Sequence, residues 1–286
     1  MGARLSPIMS ADVPDVARFL TEHLNHRVPA ERWTRALSVP WASEQPNHGF
    51  HLRDADGAVV GAYLAYYSQQ PVDGRLERFC NLGAWCVLPD HRAQGVRLLT
   101  RLLGQEGYHF TDFSPSGNVV ELNRRLKFVD LDTTTDLLAN APLPARPGAA
   151  QVSADPDTLL GSLSPDELAL YRDHRRAAAA RHLVVRTPRE HCYVVFRRDT
   201  RKRVRAFGSV LHVSNPELFR AEAGRVATHL LTRHGIAATL VERRVSGGPL
   251  RRATALSRPR PKMFRSPSLA PEQVHYLYSE LTCLAW

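Results

Sequence analysis

The sequence predicts an α/β fold of mixed sheets, arranged as two domains in tandem. Three observations lead there. The chain has 286 residues, enough to bury two cores. Its apolar periods alternate between helix and strand spacing through two successive series. Between the series lies Ala141-Pro-Leu-Pro-Ala-Arg-Pro-Gly-Ala-Ala150, a stretch without periodicity that reads as a linker. The domains are expected at residues 1–140 and 159–286, with the linker over 141–158.

The first series opens at Ser10-Ala-Asp12, a helix N-cap signal. Val13, Val16, Ala17, Phe19, Leu20 and Leu24 follow at helical spacing. A second helix covers Glu31 to Leu37. Gly49 to Arg53, a turn at Asp54-Ala-Asp-Gly57, and Ala58 to Tyr67 read as a hairpin. A turn at Pro71-Val-Asp-Gly74 leads into a long apolar strand, Arg75 to Leu88, broken by Gly83 and ended by Pro89. Gly95 to Leu103 reads as a helix, Tyr108 to Phe113 as a strand, Asn118 to Leu126 as a helix and Phe128 to Leu138 as a further strand.

In the second series, Ser164-Pro-Asp-Glu-Leu carries a capping-box pattern and opens a helix to about Ala180. His191 to Arg198 and Val204 to Val213 are strands. Asn215-Pro216 opens an amphipathic helix to about His234, Ala237 to Arg243 is a strand, and Ala270 to Cys283 a closing helix. The halves share element order without obvious identity.

The net charge of +10 is unevenly placed. Residues 1–150 hold 15 Lys+Arg against 16 Asp+Glu, whereas residues 151–286 hold 23 against 12. That excess fits an anionic partner: a nucleotide-bearing cofactor, an acidic carrier protein or RNA. It also fits compositional drift, since only Lys127, Lys202 and Lys262 among the 38 cations are lysines. The basic stretch Arg197 to Arg205 reads as a solvated hairpin. No apolar run reaches the roughly 18 residues of a membrane helix, and the N-terminus lacks a secretory h-region. Cys80, Cys86, Cys192 and Cys283 form no CxxC pair. A cytoplasmic protein without structural metal or disulfides is therefore expected.

The chemistry concentrates in Cys86-Val-Leu-Pro-Asp-His-Arg92-Ala-Gln-Gly95-Val-Arg97-Leu-Leu-Thr. A strand that turns through a short loop into a helix aims several backbone N–H groups at one spot. Those donors and the helix dipole favour an anion, and Gly95 lets a diphosphate approach the backbone. The preceding strand offers backbone groups at Cys86, Val87 and Leu88 to an extended amide-bearing arm.

This segment resembles the GNAT superfamily of N-acyltransferases, whose cofactor loop reads [Arg/Gln]-x-x-Gly-x-[Gly/Ala]. Arg92-x-x-Gly95 matches; Arg97 departs from the last position. The family's downstream Asn and Leu-Tyr-x-x-x-Gly-Phe are similar to Asn118 and Leu122-Asn123-Arg-Arg-Leu-Lys127-Phe128. Asn118, Leu122 and Phe128 match, while Asn123 replaces Tyr and Lys127 replaces Gly. The likeness spans about residues 8–138, with its motifs between Glu77 and Phe128. Asn81-Leu-Gly-Ala-Trp-Cys-Val87, Thr111-Asp-Phe-Ser-Pro-Ser-Gly-Asn118 and Tyr276-Leu-Tyr-Ser-Glu-Leu-Thr282 further resemble tandem GNAT-like proteins whose second copy is degenerate. Here Val213-Ser-Asn-Pro216 enters its helix without a glycine loop, so no pyrophosphate site is expected there.

The resemblance implies an acyl-CoA donor, most simply acetyl-CoA, held by Cys86, Val87, Leu88, Arg92, Gln94, Gly95, Val96, Arg97 and Asn118. The family's usual general base corresponds to Asn81 and its usual acid to Asn123, and neither amide titrates. Substitutes are available in Glu77, Tyr108, His109 and Asp112. Alternatively, positioning alone supplies the rate, or the site binds without catalysing. The candidate positions at the chemistry are Asn81, His109, Asp112 and Asn123. Cys80 and Cys86 read as core thiols, and Tyr276, Tyr278 and Glu280 as a helix docking on the first domain.

The leading expectation is transfer of an acyl group from acyl-CoA to the amine of a small molecule, a secondary metabolite or sugar. A second expectation takes the donor from an acyl carrier protein or aminoacyl-tRNA. A third is a non-catalytic CoA-binding or assembly module. Oligomeric state stays open.

Overall fold

The computed structural model describes residues 2–142, 144, 150–201 and 204–285. From the N-terminus the chain forms β1 (Arg4–Pro7), α1 (Val13–His23), α2 (Ala30–Leu37), β2 (Gly49–Arg53), β3 (Val59–Val72), β4 (Arg75–Val87), α3 (Arg92–Leu103), β5 (His109–Asp112), α4 (Val119–Arg125), β6 (Val129–Asp130) and β7 (Thr135–Ala139). It continues with β8 (Gln151–Ser153), α5 (Pro156–Leu160), α6 (Pro165–His174), β9 (Arg181–Arg186), β10 (His191–Arg201), β11 (Val204–Val213), α7 (Pro216–His234), β12 (Ala238–Glu242), α8 (Arg243–Ser246), β13 (Thr254–Ala255), β14 (Met263–Arg265) and α9 (Glu280–Cys283).

These strands build two seven-stranded mixed sheets, ordered β1-β2-β3-β4-β5-β14-β6 and β8-β9-β10-β11-β12-β7-β13. In each sheet the fourth and fifth strands run parallel. The sixth strand comes from the other half of the chain. Met263 of β14 lies opposite Asp112 of β5 and Asp130 of β6. Leu137 of β7 lies opposite Leu240 of β12 and Thr254 of β13. The two halves thus repeat one architecture and exchange one strand each.

This exchange corrects the expected boundary. Residue 140 does not separate the two sheets, because β7 lies before it in sequence and in the second sheet. The expected strand Phe128 to Leu138 is correspondingly split. Asp132 Oδ1 accepts the Thr134 N–H at 2.8 Å and its hydroxyl at 2.6 Å, and this turn sends β6 and β7 to different sheets. Of the expected linker, residues 143 and 145–149 lie outside the described residues. Its later part holds the edge strand β8, paired to β9, and the start of α5.

Two helices are shorter than their periodicity suggests. α6 has the expected capping box on Ser164 and Glu167 but ends at His174. The chain beyond it bonds to the tail instead, Ala179 donating its N–H to Thr282 O at 2.9 Å. The closing helix is reduced to a single turn at Pro271–Gln273 and to α9. Between them Tyr278 takes φ 59°, with its N–H on His174 Nε2 at 3.0 Å and its hydroxyl on Asp173 Oδ2 at 2.7 Å. Tertiary hydrogen bonds override helix propensity here.

The tail lies in a core shared by both halves. Trp33, Tyr66, Phe113, Tyr276 and Leu281 pack there with Val184, Tyr193 and Leu211. On the opposite face of the first sheet, Leu98, Leu99 and Leu102 of α3 cover Tyr63, Cys80 and Leu82. Cys80 is a buried free thiol whose pKa burial pushes up, as expected of a core cysteine. Arg197 corrects the reading of Arg197 to Arg205 as solvated. It is buried, and its guanidinium donates to Leu281 O at 2.9 Å and Leu284 O at 3.0 Å. Lys202 and Arg203 lie outside the described residues. No helix among the described residues is long and apolar enough to cross a membrane.

Candidate active site

The site begins where β4 and β5 part. Their parallel register runs from Phe79–His109 to Leu82–Asp112 and stops. β4 continues to Val87, paired only with β3. The parting follows a bulge: Leu64 faces Gly83, Tyr63 faces Trp85, and the extra residue, Ala84, takes φ 57°. One edge of Gly83 to Val87 is therefore free to pair with an extended ligand.

A groove of about 720 Å³ runs along this edge, lined by Val87, Arg92, Gly95, Asn118 and Leu122 among others. The first turn of α3 opens beside it, where helical amides lack intrahelical partners. A Cβ at Gly95 would meet Val87 Cγ2 at 3.3 Å, so a larger residue would press α3 and the strand apart. Of the nine residues expected to hold the donor, Val87, Arg92, Gly95 and Asn118 line the groove. Cys86 and Leu88 pack their side chains toward the shared core. Arg97 bonds Gln94 Oε1 at 2.8 Å and Ala3 O at 3.0 Å, tying α3 to the residue before β1, and Val96 is exposed. The side chains of Gln94, Val96 and Arg97 are thus absent from the groove lining. Arg97, which departs from the family pattern, has a structural partner of its own.

The groove meets a second cleft, of about 400 Å³, at Trp85 and Val119. Tyr63, Gly83, Asp112 and Ser114 line it from the first half, Asp199 and Arg260 from the second. Tyr63 stacks on Trp85 with ring centroids 4.8 Å apart. Asp112 is buried and accepts from Asn123 Nδ2 at 2.8 Å and Ser114 N at 3.3 Å. Burial holds its carboxyl up at about 6 despite those bonds. Asn123 therefore serves Asp112. Its Oδ1 has no hydrogen-bond partner among the described residues.

Asn81 lies on the other face of β4. Its Nδ2 donates to Thr111 Oγ1 at 3.0 Å, and its Oδ1 accepts the Glu280 N–H at 2.8 Å. His109 does not join this group. It begins β5, about 10 Å along the strand from Asp112. Its Nε2 lies 3.1 Å from Glu77 Oε2 and its Nδ1 2.8 Å from Ser266 Oγ. Tyr108 is engaged by Arg78 on the strand beside it. Of the four candidate positions, the structure brings Asn81, Asp112 and Asn123 to the parting of the strands and leaves His109 at its far end.

Glu280, expected as a docking residue, lies behind the cleft against Gly83, Asn81 and Ser114. It is fully buried, with Ser114 Oγ donating to its Oε1 at 3.0 Å and no partner for its Oε2 among the described residues. Its Cβ lies 3.0 Å from where a Cβ on Gly83 would stand. Gly83 thus makes room for the tail. Burial and the neighbouring Asp112 raise the Glu280 carboxyl to about 8.

At the start of α7 the second half has an open cleft of about 650 Å³. Asn215 Oδ1 accepts the Leu218 N–H at 3.0 Å, capping α7, while Asn215 Nδ2 donates to Glu190 Oε2 at 2.9 Å. Glu167 and Glu217 line the same surface. Carboxylates around a capped helix start disfavour a diphosphate.

These features define a tandem fold of the acetyltransferase type. The chain matches the GCN5-related N-acetyltransferase from Anabaena variabilis at TM-score 0.58 and 9% identity, over 92% of this chain and 72% of that one. A putative acetyltransferase from Pyrococcus horikoshii matches at 0.57 and 15%, over 100% and 95%. The Saccharomyces cerevisiae N-myristoyltransferase with bound myristoyl-CoA matches at 0.50 and 10%, over 100% and 86%. No protein-family model and no curated protein sequence matches the chain. The protein has the GNAT fold, built twice along one chain.

Proposed function

We propose that the protein transfers an acyl group from acyl-CoA to the amine of a small molecule. The observation that carries this reading is the free edge of Gly83 to Val87 beside Gly95, opening at Trp85 into a cleft that bears Asp112. The edge suits the amides of a pantetheine arm, and the first turn of α3 with Arg92 suits a diphosphate. The myristoyl-CoA held by the yeast enzyme of similar fold supports a thioester donor. A cleft of about 400 Å³ between the two halves favours a small acceptor over a protein surface. A carrier-protein or tRNA donor is less favoured, because Arg197, Arg243 and Arg260 in the basic half are engaged with partners inside the protein.

Isothermal titration with CoA tests the donor site. Arg92→Ala is expected to weaken binding about tenfold, on the order of 1.4 kcal/mol. Gly95→Glu is expected to abolish it, since its side chain meets Val87 and brings a negative charge. Equal affinity in both variants would remove the assignment.

A further inference from the structure

We propose that Ser114 and Glu280 form a proton relay for the acceptor amine, Ser114 meeting the substrate and Glu280 receiving the proton. This rests on the acyl-transfer reading above and gives that site its base.

The geometry has three parts. Ser114 lines the acceptor cleft, with its N–H on Asp112 Oδ1 at 3.3 Å and its hydroxyl donating to Glu280 Oε1 at 3.0 Å. The backbone bond fixes the residue and the bond to Glu280 orients the hydroxyl, with its lone pairs left for a donor in the cleft. Glu280 is 0% exposed, and Oε2 lacks a partner among the described residues. A buried polar atom left without a partner is costly, which marks the group for a role beyond packing. Finally, the tail carrying Glu280 is clamped from both halves, by Asn81 on its N–H and by Arg197 on the carbonyls of Leu281 and Leu284. A carboxyl is therefore fixed beside a strand whose own polar residue, Asn81, cannot titrate.

Asp112 from β5, Tyr63 and Tyr66 from β3, Cys283 from α9, Arg197 from β10 and Lys262 next to β14 are the titratable groups facing Glu280. Burial, first, and Asp112, second, place its carboxyl at about 8. That value suits a base working on an ammonium near neutral pH.

In the proposed step the ammonium passes one proton to Ser114 Oγ as Ser114 passes its own to Glu280. The freed lone pair forms the C–N bond at the thioester carbonyl carbon. The C–S bond then breaks, its electron pair going to sulfur. The second proton lost by nitrogen goes to that sulfur. Amide and free thiol result, and Glu280 returns its proton through Ser114 to solvent in the cleft.

Thiol release from acetyl-CoA with a panel of primary amines, followed from about pH 6 to about pH 10, tests this in the wild type, Glu280→Gln and Ser114→Ala. CoA affinity is measured alongside by calorimetry. Wild-type kcat should rise through about pH 8. Both variants should lose about a hundredfold in kcat, and that rising limb, with CoA affinity changed less than about twofold. Variants that keep the limb, and kcat to within about threefold, overturn the relay and leave acyl transfer standing. A wild-type chain that does not bind CoA overturns the acyl-transfer reading itself. One that binds CoA but turns over no amine overturns the relay.

Discussion

Asn81 grips Glu280 by its backbone, Oδ1 to N–H at 2.8 Å, across 199 residues of sequence. The grip holds a carboxyl against Gly83 in a fully buried place, so the protonation of that one group is coupled to folding.

Stability should therefore depend on pH through Glu280. Its folded value of about 8 lies above its ordinary 4.5, so the folded state keeps a proton that the unfolded chain has lost. This contribution is fully present below pH 4.5 and is lost as pH rises through about 8. The slope is at most about 1.4 kcal/mol per pH unit in that window. Glu280→Gln should flatten it, giving a higher Tm than the wild type at pH 8. Parallel Tm–pH curves for the two proteins would contradict this.

Gly83→Ala should loosen the tail. The new Cβ would stand 3.0 Å from Glu280 Cβ and 3.3 Å from Tyr66 Cε2. Neither neighbour is the free end of a flexible chain, and overpacking of this kind costs about 1–3 kcal/mol. Urea unfolding should show that loss, and an unchanged midpoint would contradict it.

Arg197→Met should expose the C-terminal segment. The guanidinium holds Leu281 O and Leu284 O from inside the core. Removing it leaves two buried carbonyls unpaired, at about 1–3 kcal/mol each. Limited proteolysis should then cut near α9 at protease levels that leave the wild type intact.

Acid should weaken the second half through two buried histidines. Burial lowers His182 and His212 from 6.5 to about 4. The unfolded chain takes up protons that the folded one refuses, so stability present above pH 6.5 is lost as pH falls toward 4. Each contributes up to about 3 kcal/mol. His212→Gln should reduce the loss between pH 6.5 and 5, read as the change in Tm against the wild type. Glu280 changes stability in the opposite sense over part of this range, and the comparison cancels it.

The groove beside Gly95 was legible because its parts are contiguous: strand, Pro89, polar loop, Gly95 and helix follow one another in 20 residues or so of local pattern. Asp112 was legible for a similar reason, lying at the end of a short apolar strand before a turn. Glu280 was visible only as one residue of a polar-aromatic run, since no local feature tells a docking carboxylate from one placed against Asn81. The split of Phe128 to Leu138 was hidden because its apolar alternation runs through the turn at Asp132. The sheet a strand joins is decided by partners more than a hundred residues away. Arg97 shows the converse, where a mismatch to a motif reflects a bond to Ala3 that the motif does not describe.

The exchange of β7 and β14 also bears on how such a chain can change over generations. Cut at residue 140, the N-terminal piece would keep β7 without its sheet and lose both the strand that fills its own sheet and the tail bearing Glu280. The second half is then indispensable for architectural reasons alone. Duplication is easily reversed by deletion while its copies stand apart. Where two halves have traded strands, a single deletion no longer leaves either sheet complete.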